Sequence, residues 1–274
     1  MQNIFMEDIP YRVVDGVPLL GRLYRPRAGA EVLLVDVHGG AWTQGDRLNN
    51  AAMHHYLAER GIAVFALDFR MPPQAGYPAA LEDVNFGIRW AKANQARLGL
   101  QARIVAGLGA SSGGHQIVLT ALRPMDYSVL ACEAGVRDAD ASLAFVVACW
   151  PILDPLARYR MAKEKGLDKL VDAHHAFWPD EAAMDKASPQ SVLERGDHAG
   201  LPPMLVIQGT ADDNVEHLRA DAFADRYRKA GGAIELHKFD GQPHAFITRA
   251  PACPQSIEAN ALIADYVQAT TAAL

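Results

Sequence analysis

The residues best placed to do chemistry lie in the stretch GASSGGH at 109–115, where two serines stand side by side among glycines. In a G-x-S-x-G motif the serine occupies a strained turn between a strand and a helix, and the flanking glycines let both elements approach closely. Centring the motif on Ser111 places Gly109 and Gly113 at the flanks, whereas centring it on Ser112 replaces one glycine by alanine. The spacing therefore predicts that Ser111 is a nucleophile and that the backbone N–H of Ser112 faces a developing oxyanion. The alternatives are a structural glycine turn and a phosphate loop, but the stretch lacks the P-loop lysine and the G-x-G-x-x-G spacing.

A second glycine pair, in HGGAW at 38–42, follows the apolar run Val32–Val37. Such a run is typical of a strand buried on both faces. Adjacent glycines at its end allow backbone N–H groups to turn toward an oxyanion, and one such donor contributes about 3 kcal/mol to transition-state stabilisation. The alternative is an ordinary Gly-Gly turn that is followed by a buried Trp42.

An acid and a histidine follow two later apolar runs. GTADDNV at 209–215 comes after the run 204–207, and His244 comes after the run 233–239. Serine, then acid, then histidine is one of the chain orders in which serine hydrolases carry their triad. An aspartate at such a turn also serves as a helix N-cap, and a histidine also occurs in exposed loops. All three motifs in this order favour a triad over three unrelated structural roles.

The elements that would position these residues alternate along the chain. An antiparallel pair opens it at 11–14 and 21–24, and strands then alternate with helices, which predicts a mostly parallel sheet covered by helices on both faces. The later strands are predicted at 32–37, 62–67, 103–108, 143–149, 204–207 and 233–239. The helices are predicted at 49–60, 79–98, from 112, at 216–230 and at 257–270.

The segment 154–200 interrupts this alternation, because it is charged and shows no clear strand. We interpret it as a helical cap inserted into a single domain that spans 1–274. The insertion leaves the edge of the sheet at which open α/β sheets bind ligands. Large aromatic residues in or near this edge are candidates for the substrate pocket, although such residues more often pack in the core; they are Trp42, Trp150, Phe177, Trp178 and Phe246.

Taken together, these motifs resemble the α/β-hydrolase superfamily, within it the hormone-sensitive-lipase-like esterases and the neighbouring arylformamidase-type hydrolases. The resemblance rests on 38–42, on DFR at 68–70, on YPAALEDV at 77–84, on 109–114, on 209–215 and on His244. It implies the α/β-hydrolase fold and a triad of Ser111, Asp212 and His244. The family pattern G-x-x-D-x-x-V selects Asp212 rather than Asp213 as the acid. It also implies oxyanion donors at Gly40, Ala41 and Ser112 and requires no metal or organic cofactor.

The resemblance implies hydrolysis of small to medium, fairly apolar carboxylic esters through an acyl-enzyme. The chain departs from the lipase-like pattern at Ala41, where a third glycine is usual, and at Ala110 and Ser112, where Asp and Ala are usual. The HGG-x-W stretch equally resembles the formamidase branch, so an amide or carbamate such as an N-formyl arylamine is the alternative substrate. The third alternative is a protein with the hydrolase fold that binds a ligand without hydrolysing it. Such a protein would be expected to lack a triad residue.

Composition and charge narrow the classes of protein to which this chain can belong. The chain of 274 residues is 50% hydrophobic with a formal net charge of −6, and no basic tract points to a nucleic-acid partner. No basic and apolar leader opens it, and its apolar runs are too short to cross a bilayer, so we expect a cytoplasmic protein. Adjacent histidine pairs do not match metal-ligand spacing. The three cysteines are expected to be free and mostly buried; they are Cys132, Cys149 and Cys253. The sequence leaves the oligomeric state open, a homodimer included.

Overall fold

The computed structural model describes residues 3–127, 136 and 138–274. Its centre is an eight-stranded sheet in the order β1-β2-β4-β3-β5-β6-β7-β8. The pairs β1–β2 and β2–β4 are antiparallel, and the remaining pairs are parallel. The strands are β1 Ile4–Val14, β2 Val17–Pro26, β3 Val32–Val37, β4 Ala63–Leu67, β5 Ile104–Ala110, β6 Val146–Cys149, β7 Met204–Gly209 and β8 Ile234–Phe239. The predicted fold class, a mostly parallel sheet flanked by helices, is confirmed.

Helices connect the parallel strands and cover both faces of the sheet. They are α1 Ala51–Glu59, α2 Ala79–Ala93, α3 Ser112–Leu122, α4 Pro155–Glu164, α5 Asp168–Phe177, α6 Glu181–Lys186, α7 Pro189–Arg195, α8 Leu218–Lys229, α9 Phe246–Arg249 and α10 Pro254–Ala273.

Successive side chains along each buried strand point to opposite faces of the sheet, so the core has one half on each face. In β3, Leu33 and Val35 face a cluster that includes residues of α2, α3 and α8, whereas Leu34 faces a cluster that includes residues of α1 and α10. A strand that is apolar on both sides is therefore buried on both sides, as the continuous apolar run predicted.

The bounds of several elements differ from the sequence prediction. The opening hairpin is much longer than predicted, and its register runs from the pair Ile4↔Pro26 to the pair Val14↔Val17. Charged residues such as Glu7, Asp8 and Arg22 interrupt its apolar residues, so the hairpin lacks the continuous apolar signal of the central strands. The predicted helix 79–98 ends as a regular helix at Ala93.

The segment 154–200 is helical, and its helices α4 to α7 lie between β6 and β7 in the chain. Local sequence signals account for three of the helix starts. Asp154, Asp180 and Ser188 cap the N-termini of α4, α6 and α7 through side-chain bonds to backbone N–H groups. Proline in the first turn of α4 and of α7 fits the same boundaries, since its missing N–H is not needed there.

Two of the three cysteines lie in the part of the chain that the structure describes. Cys149 is free and buried, as predicted, whereas Cys253 is free but only partly buried. Cys132 lies outside the described residues. No helix within the described ranges combines the length and the apolar character that crossing a bilayer requires.

Candidate active site

Ser111 occupies the turn between β5 and α3 with φ 54° and ψ −117°. A non-glycine residue at such an angle is strained, and the surrounding structure must hold it there. Close packing does so, because a Cβ on Gly113 would overlap the carbonyl oxygen of Val37. The glycine that follows Ser111 by two residues therefore lets α3 approach β3 and project the Ser111 side chain away from the sheet.

Three side chains from distant parts of the chain meet at this turn. The Nε2 of His244 lies 2.9 Å from the Oγ of Ser111, and its Nδ1 lies 2.8 Å from the Oδ2 of Asp212. An ionised carboxylate only accepts, so Nδ1 carries the proton and Nε2 is left to accept from the serine hydroxyl. The structure thus brings together all three residues that the sequence predicted as a triad.

The carboxylate of Asp212 is held by several donors. It accepts from the Nε2 of Gln208 at 3.0 Å and from the backbone N–H groups of Asn214 and Val215 at 2.9 and 2.8 Å. Burial alone would raise the pKa of Asp212, but the bond to His244 and these backbone donors hold the pKa below its ordinary value. The neighbouring Asp213 is exposed. Gln208 was missed by the sequence analysis, where it is only a polar residue at the end of a buried strand.

The loop after β3 presents backbone donors to the same place. Gly40 has φ 124° and Ala41 has φ 51°. At Gly40 a Cβ would overlap the carbonyl oxygen of Gln44, so glycine is needed there. None of the hydrogen bonds found among the described residues is donated by the backbone N–H of Gly40, Ala41 or Ser112. These three groups are the predicted oxyanion donors.

The side chain of Ser112 binds this loop to the turn that carries Ser111. Its Oγ accepts a hydrogen bond of 3.1 Å from the backbone N–H of Trp42. The sequence analysis assigned Ser112 only a backbone role, so this bond adds a structural role for its hydroxyl group.

Ser111 and His244 line a cavity of about 700 Å³, together with Gly40, Ala41 and Trp150. Residues of α5 form part of its wall, among them Leu170 and Ala173. A second cavity, of about 830 Å³, lies near the amino ends of the strands, and neither serine, cysteine nor histidine lines it. Of these two cavities, the one at Ser111 therefore has the side chains for nucleophilic chemistry.

Four of the five predicted pocket aromatics do not line this cavity, and Trp150 alone does among the five. Trp42 stacks on Phe177 at 5.5 Å between ring centroids, and Trp178 meets both rings edge-on. Phe246 packs on Phe239 and Trp150 in the other half of the core. The pocket prediction is corrected for these four residues, because their rings are buried against other core side chains. The contacts of Phe177 and Trp178 fit the alternative role, in which these rings anchor the insertion to the core.

His115 joins the aromatic cluster to the insertion. Its Nδ1 accepts from the Nε1 of Trp42 at 3.1 Å, and its Nε2 donates to the carbonyl oxygen of Ala187 at 2.8 Å. Burial lowers the pKa of His115 to about 4, so the ring is neutral at pH 7. The sequence carries no local signal for this role of His115, because its partners are distant in the chain.

The adjacent histidine pairs, His54-His55 and His174-His175, do not line this cavity. His54 bonds to Asp36 at 2.9 Å within the core, and His174 is buried in the insertion. Across the described residues, no group of three or more His, Cys, Asp or Glu side chains is arranged to hold a metal ion.

The chain is similar in sequence to several curated esterases. Esterase LipC of Mycobacterium tuberculosis is 28% identical over 257 residues, which cover 87% of this chain and 60% of that protein. The ethyl acetate hydrolase of Pseudomonas putida is 24% identical over 274 residues, which cover 96% of this chain and 82% of that protein. The chain spans about half the length of other curated relatives that it matches, 53% of one and 46% of another.

Solved structures show the same architecture. Esterase Est2 of the planctomycete Thermogutta terrifontis superposes with a TM-score of 0.77 at 25% identity, covering 96% of this chain and 91% of that chain. The same esterase with propionate bound superposes with a TM-score of 0.75 at 26% identity, covering 96% of this chain and 93% of that chain. The fold is therefore the α/β-hydrolase fold. Residues 23–227 match the sequence profile of BD-FAE, and the chain belongs to the BD-FAE family.

Proposed function

We propose that this protein hydrolyses carboxylic esters of small to medium size through a covalent acyl-enzyme. One observation carries the proposal: Ser111, His244 and Asp212 form a continuous hydrogen-bonded relay at the wall of a cavity. Several relatives and structural neighbours are named as esterases, which supports the same reaction class.

The first half of the reaction forms the acyl-enzyme. The Oγ of Ser111 attacks the ester carbonyl while the Nε2 of His244 takes its proton, and Asp212 stabilises the resulting imidazolium. The N–H groups of Gly40, Ala41 and Ser112 donate to the oxyanion of the tetrahedral intermediate. The intermediate collapses, the alkoxide leaves with the proton from His244, and the acyl group remains on Ser111.

The second half returns the enzyme to its starting state. His244 takes a proton from a water molecule as the water oxygen attacks the acyl carbonyl, and a second tetrahedral intermediate forms in the same oxyanion hole. Its collapse breaks the bond to Ser111, which regains the proton from His244. The products are a carboxylic acid and an alcohol.

The cavity wall favours small to medium acids and alcohols. Ala41, Trp150 and Leu170 give it apolar surface, and the methyl group of Ala41 narrows the space beside the oxyanion donors. Among the relatives, one is named for ethyl acetate and one structure holds propionate, which supports short chains.

The test is a panel of p-nitrophenyl esters from acetate to decanoate, run beside aryl formamides and carbamates. We expect the highest kcat/KM on a short or medium ester. Ser111→Ala should lower kcat by at least about 10³-fold, because removal of a triad nucleophile leaves only binding and oxyanion stabilisation. A higher kcat/KM for a formamide or carbamate would contradict ester hydrolysis as the main activity. Retained turnover in Ser111→Ala would contradict the mechanism.

A further inference from the structure

The wall of the cavity at Ser111 carries an excess of positive charge. Arg158, Lys169 and Arg249 line it, whereas Asp172 is the acidic residue among its lining side chains. This excess stands out in a chain with a formal net charge of −6. Lys169 and Arg249 are exposed at the rim, and Arg158 is only 5% exposed.

Arg158 is a buried cation that forms no hydrogen bond or close ion pair with a carboxylate among the residues that the structure describes. Its Nε and Nη2 donate to the side-chain oxygen of Asn214, at 3.2 and 2.6 Å, and Nε also approaches the Asn214 carbonyl oxygen at 3.2 Å. Burial lowers the pKa of Arg158 to about 10 and the nearby Asp212 carboxylate partly opposes this shift, so the guanidinium remains charged at neutral pH. A buried charge is costly unless an opposite charge compensates it.

The Nη1 side of the guanidinium has no acceptor in the described chain. Nη1 lies 3.5 Å from the Nδ1 of His174, and the guanidinium carbon lies 5.8 Å from the centre of the Trp42 ring. That Nδ1 lies 2.8 Å from the carbonyl oxygen of Leu170 and must carry the proton that this bond requires. It therefore cannot accept from Arg158, and Nη1 has no hydrogen-bond acceptor among the described residues.

A purely structural role accounts for only part of this arrangement. Through Asn214, whose backbone N–H donates to Asp212, Arg158 supports the loop that carries the triad acid. That role uses Nε and Nη2. It explains neither the unused Nη1 nor the further cations at the cavity rim.

We propose that the preferred ester carries a carboxylate, which Arg158 binds while Lys169 and Arg249 attract it to the cavity. The proposal rests on the ester hydrolase function above and narrows its substrate class. A guanidinium binds a carboxylate through directed, charge-assisted hydrogen bonds. The apolar surface of Trp150 and Leu170 accommodates the carbon chain between the scissile ester and the carboxylate. The substrate is either a half-ester of a dicarboxylic acid or an O-acyl hydroxy acid.

Two matched pairs of esters distinguish a half-ester of a dicarboxylic acid from an O-acyl hydroxy acid. Monoethyl succinate is compared with ethyl 4-oxopentanoate, in which a neutral ketone replaces the carboxylate of the acyl part. Acetoxyacetate is compared with acetoxyacetone, in which the same replacement is made in the alcohol part. Acid release is followed in a pH-stat at low and high salt. In wild type we expect the anionic member of one pair to be preferred, with a preference that declines as salt increases.

The variant Arg158→Met should lower kcat/KM for the preferred anionic ester about 10- to 100-fold more than for its neutral partner, as expected for a charged hydrogen bond. Arg160→Met is the matched control, because Arg160 lies on the same helix, is 65% exposed and pairs with Glu181 instead of lining the cavity. It should leave the preference unchanged. The exposed double variant Lys169→Met/Arg249→Met should reduce the preference by a smaller factor without a loss of stability.

The outcomes separate this proposal from the function on which it rests. If wild type hydrolyses the neutral esters but prefers neither anionic ester, the carboxylate proposal is wrong and the ester hydrolase function stands. If Arg158→Met lowers kcat/KM equally for both members of a pair, Arg158 only supports Asn214 and the proposal is also wrong. If wild type hydrolyses none of the four esters nor any p-nitrophenyl ester, the hydrolase function itself fails. Should Arg158→Met fail to fold, wild type and the rim double variant decide the question.

Discussion

At the scale of single residues, the sequence predicts the reactive side chains better than it predicts their supports. Ser111 is recognisable because glycines must flank a strained residue, and Asp212 and His244 are recognisable by their order after late strands. Gln208 and Arg158 carry no local signal, because their roles depend on partners that only the fold brings near. A strained residue costs of order 1–3 kcal/mol, which the packing around Ser111 must offset.

The adjacent acids of the loop after β7 give a prediction at this scale. Asp212→Asn should reduce kcat by up to about 10⁴-fold, because an amide at this position favours the wrong tautomer of His244. Asp213→Asn is the matched control, since Asp213 is exposed and adjacent, and it should retain nearly full activity. Steady-state kinetics of both variants on one p-nitrophenyl ester provide the measurement. Similar losses in the two variants would show that neither residue alone is the triad acid.

At the scale of elements, apolar runs locate the central strands, and the absence of such runs marks the helical segment 154–200. The sequence does not reveal which aromatic rings face substrate, because the same residue types fill cores and pockets. Phe177 stacks on Trp42, which lies far away in the chain, and this contact removes both rings from the cavity wall. Leu170, about two turns earlier on α5, lines the cavity instead.

These two residues of α5 should therefore respond differently to truncation. Phe177→Ala should lower the free energy of unfolding by about 3–5 kcal/mol, since it removes a buried ring, and should reduce activity in parallel on all esters. Leu170→Ala should change the ratio of kcat/KM between short and long acyl chains with a smaller loss of stability. Urea denaturation and the p-nitrophenyl series measure both effects. A chain-length effect confined to Phe177→Ala would return that ring to the substrate pocket.

At the scale of the whole molecule, alternating strands and helices predict the layered architecture, and the comparisons agree with it. Cytoplasmic location and the absence of nucleic-acid partners remain predictions from the sequence, which leaves the oligomeric state open, a homodimer included. The distribution of charge is visible only in the folded chain, because the cations at the cavity come from α4, α5 and α9. The net negative sequence therefore gave no reason to expect a cationic cavity.

Global stability should depend on pH through His115, which lies between the oxyanion loop and the insertion. Burial lowers its pKa from the ordinary 6.5 to about 4, so the unfolded chain binds a proton in this window that the folded chain does not. The contribution of His115 to the free energy of unfolding is therefore complete above pH 6.5. It declines by about 3 kcal/mol as the pH falls toward 4. His115→Gln, which can retain both hydrogen bonds, should lose less stability than wild type between pH 7.5 and 5. Equal losses in urea denaturation would contradict a buried neutral His115.

The central claim is that Ser111 carries the acyl group during turnover. Its most direct test is intact-protein and peptide mass spectrometry after reaction with a fluorophosphonate, on wild type, Ser111→Ala and Ser112→Ala. We predict one adduct per chain on Ser111 in wild type and in Ser112→Ala, and none in Ser111→Ala. An adduct on Ser112, or a labelled Ser111→Ala protein that still hydrolyses esters, would contradict the account.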